Sequence, residues 1–226
     1  MVSSRFLIPY KLSTLQRAFL VPYFGVGALL DPTRGDLVAG FGDVTAGLVL
    51  KNLHAKMAST PSGRELLKNK PLITEKNLSL PHLRGLPEDS FGRKYIDFMD
   101  HHEYSADERA PVRFMTDKEL AYTMARYRQV HDFWHVLSGL PPTVLGELAL
   151  KCFEFRVTGL PVCALGGFLG QIKLDAADLH KLHTVYLPWA VRAGGQCADL
   201  MSYPYERSLS KPLQLVREEL SFEPAP

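Results

Sequence analysis

Cysteine is scarce in this chain: 226 residues carry three thiols, Cys152, Cys163 and Cys197, and no C-x-x-C pair. That excludes a disulfide framework and a thiolate zinc module, and it fits a reducing compartment. An excess of one charge is also missing. The 26 Lys plus Arg against 24 Asp plus Glu leave a formal +2, too balanced for a protein held on nucleic acid by charge, so no nucleic-acid partner is expected. Long apolar runs are absent too. The longest uncharged stretch, between Arg156 and Lys173, is interrupted by Pro161 and several glycines, and a bilayer-spanning helix needs about 20 apolar residues. No acidic residue precedes Asp31; the only charges up to Leu30 are Arg5, Lys11 and Arg17. Residues 1–14 therefore read as a presequence remnant, an interfacial segment or the approach to an ordinary first helix. Strand signals are lacking as well, with no apolar/polar alternation bounded by N-G or D-G turns and no βαβ rhythm.

What is present is enough apolar material for a core, 46% hydrophobic against 22% charged, and many helical signals. Ser62-Gly63-Arg64-Glu65 and Thr116-Asp117-Lys118-Glu119 match the capping box. After Thr116, Leu120, Met124, Tyr127, Val130, Trp134 and Leu137 recur every three or four residues, the stripe of a core-facing helix that should end near Ser138-Gly139. Thr143 then caps a returning helix through about 157, with Leu145, Leu148, Ala149 and Phe153 facing inwards. Further helices are expected at about 12–29, 37–57, 93–103, 161–170, 176–193 and 207–220, with a surface wrap containing one short helix between Pro61 and Pro87. The expected architecture is all-α, a single-domain helical bundle over 1–226 with a metal site on a helical hairpin and an apolar lipid-binding groove.

The chemistry concentrates in Arg126-Tyr127-Arg128-Gln129-Val130-His131-Asp132-Phe133-Trp134-His135 and, across the turn, Glu147. At about 100° per residue His131, His135 and Asp132 fall at about 0°, 40° and 100°, one quadrant of the helix. His135 lies about as far before the turn as Glu147 lies after it, so the hairpin sets the two opposite each other. Two imidazoles and two carboxylates converging on one point suit zinc or another divalent first-row metal. The competing reading is two surface histidines and a capping carboxylate. Asp132 stands where a metalloprotease H-E-x-x-H motif has its Glu, and its shorter side chain argues for a ligand, or for a partner of one, rather than a water-activating base. Elsewhere, His101-His102-Glu103 is expected at a solvated helix end and His180 with His183 on an exposed face. The run Gly166-Gly167-Phe168-Leu169-Gly170 is expected as a small-residue packing seam that could also leave room for a lipid tail.

With His131-Asp132-Phe133-Trp134-His135, eleven intervening residues and Glu147, the sequence resembles the Coq-four family of ubiquinone (coenzyme Q) biosynthesis proteins. Phe91-Gly92-Arg93-Lys94-Tyr95, Arg109-Ala110-Pro111-Val112-Arg113-Phe114, Leu187-Pro188-Trp189-Ala190 and Tyr205-Glu206-Arg207 are also similar to it, and the likeness runs from about 15 to 220. The resemblance implies an all-helical fold, zinc on His131, Asp132, His135 and Glu147 as metal and catalytic residues, and peripheral attachment to the matrix side of the mitochondrial inner membrane. It also implies membership of a multiprotein complex of ubiquinone-biosynthesis proteins. The implied activity is decarboxylation at ring carbon 1 of 4-hydroxy-3-methoxy-5-polyprenylbenzoate, giving 2-methoxy-6-polyprenylphenol. The family's long Arg- and Ser-rich presequence has no counterpart before Leu15, so localisation is carried by the resemblance alone.

That chemistry asks for specific groups. A phenol para to the carboxylate pushes electrons towards the carboxylated carbon, a metal orients or acidifies a ring oxygen, and an acid delivers the proton. Arg109, Arg113, Arg126 and Arg128 are the candidates for holding the polyprenylated hydroxybenzoate by its carboxylate. Four protein ligands would close a zinc site, so either one carboxylate stands back or the ion accepts a fifth ligand. Replacement of the carboxylate by oxygen would need iron, manganese or direct reaction with dioxygen, because zinc is redox-inert. The apolar segments at about 12–30 and 159–170 are the expected contacts for the prenyl tail and the membrane surface. Two other classes compete: a non-catalytic prenyl-lipid-binding scaffold with a structural metal, and a metal-dependent phosphohydrolase suggested by the His131-Asp132 pair. The sequence leaves a homodimer open.

Overall fold

Ser13 starts the first helix as its N-cap: its hydroxyl accepts from the Gln16 amide while the Gln16 side chain accepts from the Ser13 amide. The computed structural model, which describes residues 7–31 and 34–226, runs from this point almost entirely through helices. Residues 1–6 of the expected presequence or interfacial segment lie outside the described residues. Just before α1 (Thr14–Leu30), the two-residue strand β1 (Leu7–Ile8) pairs in parallel with β2 (Val112–Arg113). α1 packs on α2 (Gly35–Thr45) through small residues. A Cβ on Gly40 would stand 2.5 Å from the Phe24 ring, so only glycine allows this approach.

The single helix expected at 37–57 is broken at Ala46, which ends α2 and begins α3 (Gly47–Ser59). Thr45 back-bonds its hydroxyl to the Phe41 carbonyl at 2.7 Å, an arrangement that bends helices. Of the two capping boxes, both are displaced. α4 (Pro61–Asn69) is capped by Thr60 with Pro61 in the first turn, and the Ser62 hydroxyl instead donates to the Ser202 carbonyl. The stretch to Pro87 holds α4 and also α5 (Glu75–Leu78) and α6 (Leu80–Arg84), more helix than expected. α7 (Phe91–His101) follows a Ser90 cap.

The centre of the molecule is α8 (Lys118–Ser138), capped by Asp117 one residue after the expected Thr116. Fifteen of its residues are buried, so it is enclosed on nearly every side rather than along one stripe. α3, α4, α7, β2 and the returning helix α9 (Val144–Thr158) all contact it. Enclosure forces polar side chains inwards. Arg126, fully buried, pairs with Glu206 and donates to the Tyr203 carbonyl at 2.8 Å. Phe133 lies among Phe91, Tyr95 and Tyr205, and Phe153 of α9 lies between Trp134, Trp189 and Phe222. The turn forms as expected: Gly139 ends α8 at φ 78°, and the Thr143 hydroxyl accepts from the Gly146 amide. A Cβ on Gly146 would stand 2.0 Å from the Pro141 carbonyl oxygen, so this residue lets the returning chain close tightly.

Beyond α9 the chain forms α10 (Pro161–Ala164), a π turn over Leu165–Leu169 and a 3₁₀ turn over Gly170–Lys173. The helix expected at 176–193 is α11 (Ala176–Lys181), a second π turn over Leu182–Tyr186 and α12 (Leu187–Gln196). The last expected helix divides at Pro212 into α13 (Tyr205–Ser208) and α14 (Leu213–Glu219). The glycine seam packs on α9 as expected: a Cβ on Gly167 would stand 2.9 Å from the Cys152 sulfur. Among the described residues no helix is long and apolar enough to cross a membrane.

The segments at 12–30 and 159–170 meet, α1 against the π turn, and Lys173 Nζ donates to the Leu30 carbonyl at 3.0 Å. Leu15, Phe19, Tyr23, Val26 and Leu30 are exposed, as are Phe168, Leu169 and Ile172. At about 100° per residue the five α1 positions fall within an arc of about 80°.

Candidate metal centre

Two imidazoles and one carboxylate meet between α8 and α9. His131 and His135, one turn apart on α8, stand with ring centroids 4.8 Å apart, and Glu147, one turn into α9, faces both. His135 Nε2 lies 3.0 Å from Glu147 Oε1 and His131 Nε2 lies 3.7 Å from Glu147 Oε2. One ligand atom from each of the three residues lies within 4.8 Å of the other two. Ligands at about 2.0–2.2 Å from a tetrahedral zinc stand about 3.3 Å apart; the three ligand atoms here, within 4.8 Å of one another, are spread somewhat wider than that.

The donor chemistry fits a cation. His135 Nδ1 lies 2.9 Å from the Leu140 carbonyl oxygen, which can only accept, so Nδ1 carries the proton. His131 Nδ1 lies 2.5 Å from Glu154 Oε1 and is held in the same way. With both Nδ1 atoms so engaged, Nε2 is the atom of each ring that faces Glu147 and the one that would meet a cation. Burial opposes the Glu147 charge, but the hydrogen bond with His135 and the positive groups His131, His135 and Lys151 outweigh it and hold the carboxyl at about 2. Burial likewise pushes His135 down, while its contact with Glu147 raises it above the ordinary imidazole value. The His135 side chain is 2% exposed, His131 21% and Glu147 36%, so the group opens to solvent on the Glu147 side.

Asp132 is placed elsewhere. Its Oδ2 accepts from Arg109 Nε at 3.1 Å and from Arg109 Nη2, and it is outside the group of three. The four-ligand set expected from the sequence thus divides into three converging residues and one that pairs with an arginine. Three protein ligands are the number that leaves a coordination position for water or substrate.

The four candidate arginines have internal duties, with one exception. Arg109 places its five N–H donors on Asp132, the Ile73 and Ala106 carbonyls and the Tyr95 hydroxyl, which fills its capacity. Arg126 is committed to Glu206 and Tyr203. Arg128 holds Asp43 and the carbonyls of Ala39, Ala110 and Pro111. Arg113 has an exposed side chain.

Two residues escaped the sequence reading. Glu154, fully buried, and Lys151 lie on the face of α9 that carries Glu147. The spacing 147, 151, 154 is four and three residues, a charged stripe along one face of a mainly apolar helix, and this is the signal the sequence offers. Phe98 of α7 stacks on His135 at 5.4 Å and also meets His102 and Tyr104. His101 is exposed and His102 half-buried, so this helix end is packed rather than fully solvated; His180 and His183 are exposed as expected.

The family model for "Coenzyme Q (ubiquinone) biosynthesis protein Coq4" matches residues 8–226. The chain is 42% identical over 214 residues to the ubiquinone biosynthesis protein COQ4 homolog, mitochondrial, of Homo sapiens, covering 95% of this chain and 81% of that protein. It is 40% identical over 216 residues to the ubiquinone biosynthesis protein coq4, mitochondrial, of Schizosaccharomyces japonicus, covering 95% and 90%. A crystal structure of a Nostoc punctiforme protein is similar in fold, with a TM-score of 0.71 at 20% identity over 90% of this chain and 97% of that one.

Proposed function

The chain belongs to the Coq4 family of coenzyme Q (ubiquinone) biosynthesis proteins, and from that premise we propose that it decarboxylates ring carbon 1 of 4-hydroxy-3-methoxy-5-polyprenylbenzoate to 2-methoxy-6-polyprenylphenol. The observation that carries this reading is the convergence of His131, His135 and Glu147 into a three-ligand group open on one side. In the reaction the bond from ring carbon 1 to the carboxylate breaks, carbon dioxide leaves, and a proton takes its place. Electrons pushed from the para oxygen make that carbon basic enough to be protonated first. A divalent cation such as zinc, when bound, would supply Lewis acidity to an oxygen beside the ring.

The residues of the chain do the positioning. His131 and His135 turn their Nε2 atoms inwards, and Glu147 supplies the balancing negative charge. Asp132 stands outside the group and holds Arg109 in place. The prenyl tail follows the exposed apolar side chains of α1 and the 165–172 segment. At about 25 cal/mol per Å² of apolar surface buried, even a few isoprene units would dominate binding, leaving the polar ring to set register. In this reading the protein attaches peripherally to the matrix side of the mitochondrial inner membrane, alongside other ubiquinone-biosynthesis proteins.

The test is turnover of a prenylated 4-hydroxy-3-methoxybenzoate by purified protein of defined metal content, with and without dioxygen, repeated with Glu147→Ala. The expected result is metal-dependent carbon dioxide release lost in the variant. Product only in the presence of dioxygen would mark the oxidative route, which zinc alone does not support. Full turnover by metal-free Glu147→Ala would overturn the reading. Absence of product, with metal raising the unfolding temperature, would make the chain a lipid-holding scaffold with a structural metal.

A further inference from the structure

A carboxylate in the interior of a protein needs a reason, because burying the charge costs more than a well-packed apolar side chain of the same volume. Glu154 is fully buried, and its two oxygens have different company. Oε2 accepts from the Tyr127 hydroxyl at 2.6 Å and from Lys151 Nζ at 2.7 Å, with the Cys163 sulfur at 3.5 Å. Oε1 is directed at His131 Nδ1, 2.5 Å away. If the pair existed only to neutralise itself, Lys151 and Tyr127 would suffice. The contact with the imidazole is what links this buried charge to the metal centre.

We infer that Glu154 is a positioning residue of the metal centre: by accepting the Nδ1 proton of His131 it fixes the tautomer and plane of that imidazole, so that Nε2 is the atom presented beside Glu147. Lys151 supplies the compensating charge, and Tyr127 orients the carboxylate. The two ligand histidines are thereby held unequally. His135 donates to a main-chain carbonyl, that of Leu140, at 2.9 Å, whereas His131 depends on a charged side chain. Partners of this kind on the far nitrogen of a metal-bound histidine commonly contribute about 10–100-fold in metal affinity. The inference rests on the reading of His131, His135 and Glu147 as ligands.

Zinc affinity, measured by competition with a chromophoric chelator, tests it in the full chain. The visible absorption of the cobalt(II)-substituted protein is recorded in parallel, together with the unfolding temperature of each metal-free protein. Two changes are compared with wild type: Glu154→Leu combined with Lys151→Met, which removes both charges at similar volume, and Glu154→Asp, which keeps the ion pair but withdraws the acceptor from His131. Each is expected to weaken zinc by about 10–100-fold and to alter the cobalt spectrum, while the metal-free protein still unfolds cooperatively. Unchanged zinc affinity in either folded variant would overturn the inference and leave the Glu154–Lys151 pair as packing alone. If wild type itself takes up no zinc or cobalt, the ligand reading fails first, and the inference falls with it.

Discussion

Five large side chains of α1, Leu15, Phe19, Tyr23, Val26 and Leu30, face outwards, whereas Arg126, His135 and Glu154 of the α8–α9 hairpin are buried almost completely. Each region reverses the ordinary placement of its residue types, and each reversal has a different physical resolution. Inside the hairpin every charge is matched: Arg126 by Glu206, Glu154 by Lys151 and His131, His135 by Glu147. On α1 the apolar stripe has solvent where a partner would be, the arrangement expected of a surface that meets lipid or another apolar body. The interior carries paired charges around the candidate metal group, whereas the α1 stripe is apolar and exposed.

Trp134→Ala strikes the first region hardest. The indole is fully buried against Phe153 and donates to the Tyr205 hydroxyl at 3.0 Å. Its removal should lower unfolding free energy by about 3–5 kcal/mol, read from the urea midpoint. Gly167→Val comes next, because its Cβ would stand 2.9 Å from the Cys152 sulfur and 3.1 Å from the Cys152 amide nitrogen. The expected loss is about 1–3 kcal/mol, measured by thermal unfolding. Smallest is Phe19→Ser with Tyr23→Ser on the exposed stripe: each change should move stability by no more than about 0.5 kcal/mol, while co-sedimentation with cardiolipin-containing vesicles falls. A destabilisation by the serine pair as large as that of Trp134→Ala would erase the distinction between the two regions.

Much of the hairpin was legible because its signals are local. Thr143, Gly139 and the four-residue spacing of the histidines act within a turn or two of themselves, and they place Glu147 opposite His135 without help from distant chain. Signals that depend on competition between neighbours were less secure: Thr116 lost its cap position to the adjacent Asp117 carboxylate, and Ser62 lost its own to the Thr60-Pro61 pair. The break at Ala46 and the π turns at Leu165–Leu169 and Leu182–Tyr186 left no mark in periodicity, since they insert or reorient single residues within helical stretches. Asp132 shares a quadrant with the histidines, yet its outcome was decided by Arg109, which arrives from 23 residues earlier. Glu154 was hidden by a different prejudice: a charge on a helix reads as a solvated face until the enclosing elements are known.

His131, His135, Glu147 and Glu154 all fall within 24 consecutive residues, counted from 131 to 154. The donors therefore come from one hairpin, α8 and α9, and not from elements distant in the chain. The π turn at Leu165–Leu169 rests on the same hairpin, with Gly166 and Gly167 packed against Lys151 and Cys152 of α9. A bulkier side chain at Gly166 or Gly167 would therefore press on the helix that carries Glu147, so the small-residue contact joins the periphery of the molecule to the candidate metal group.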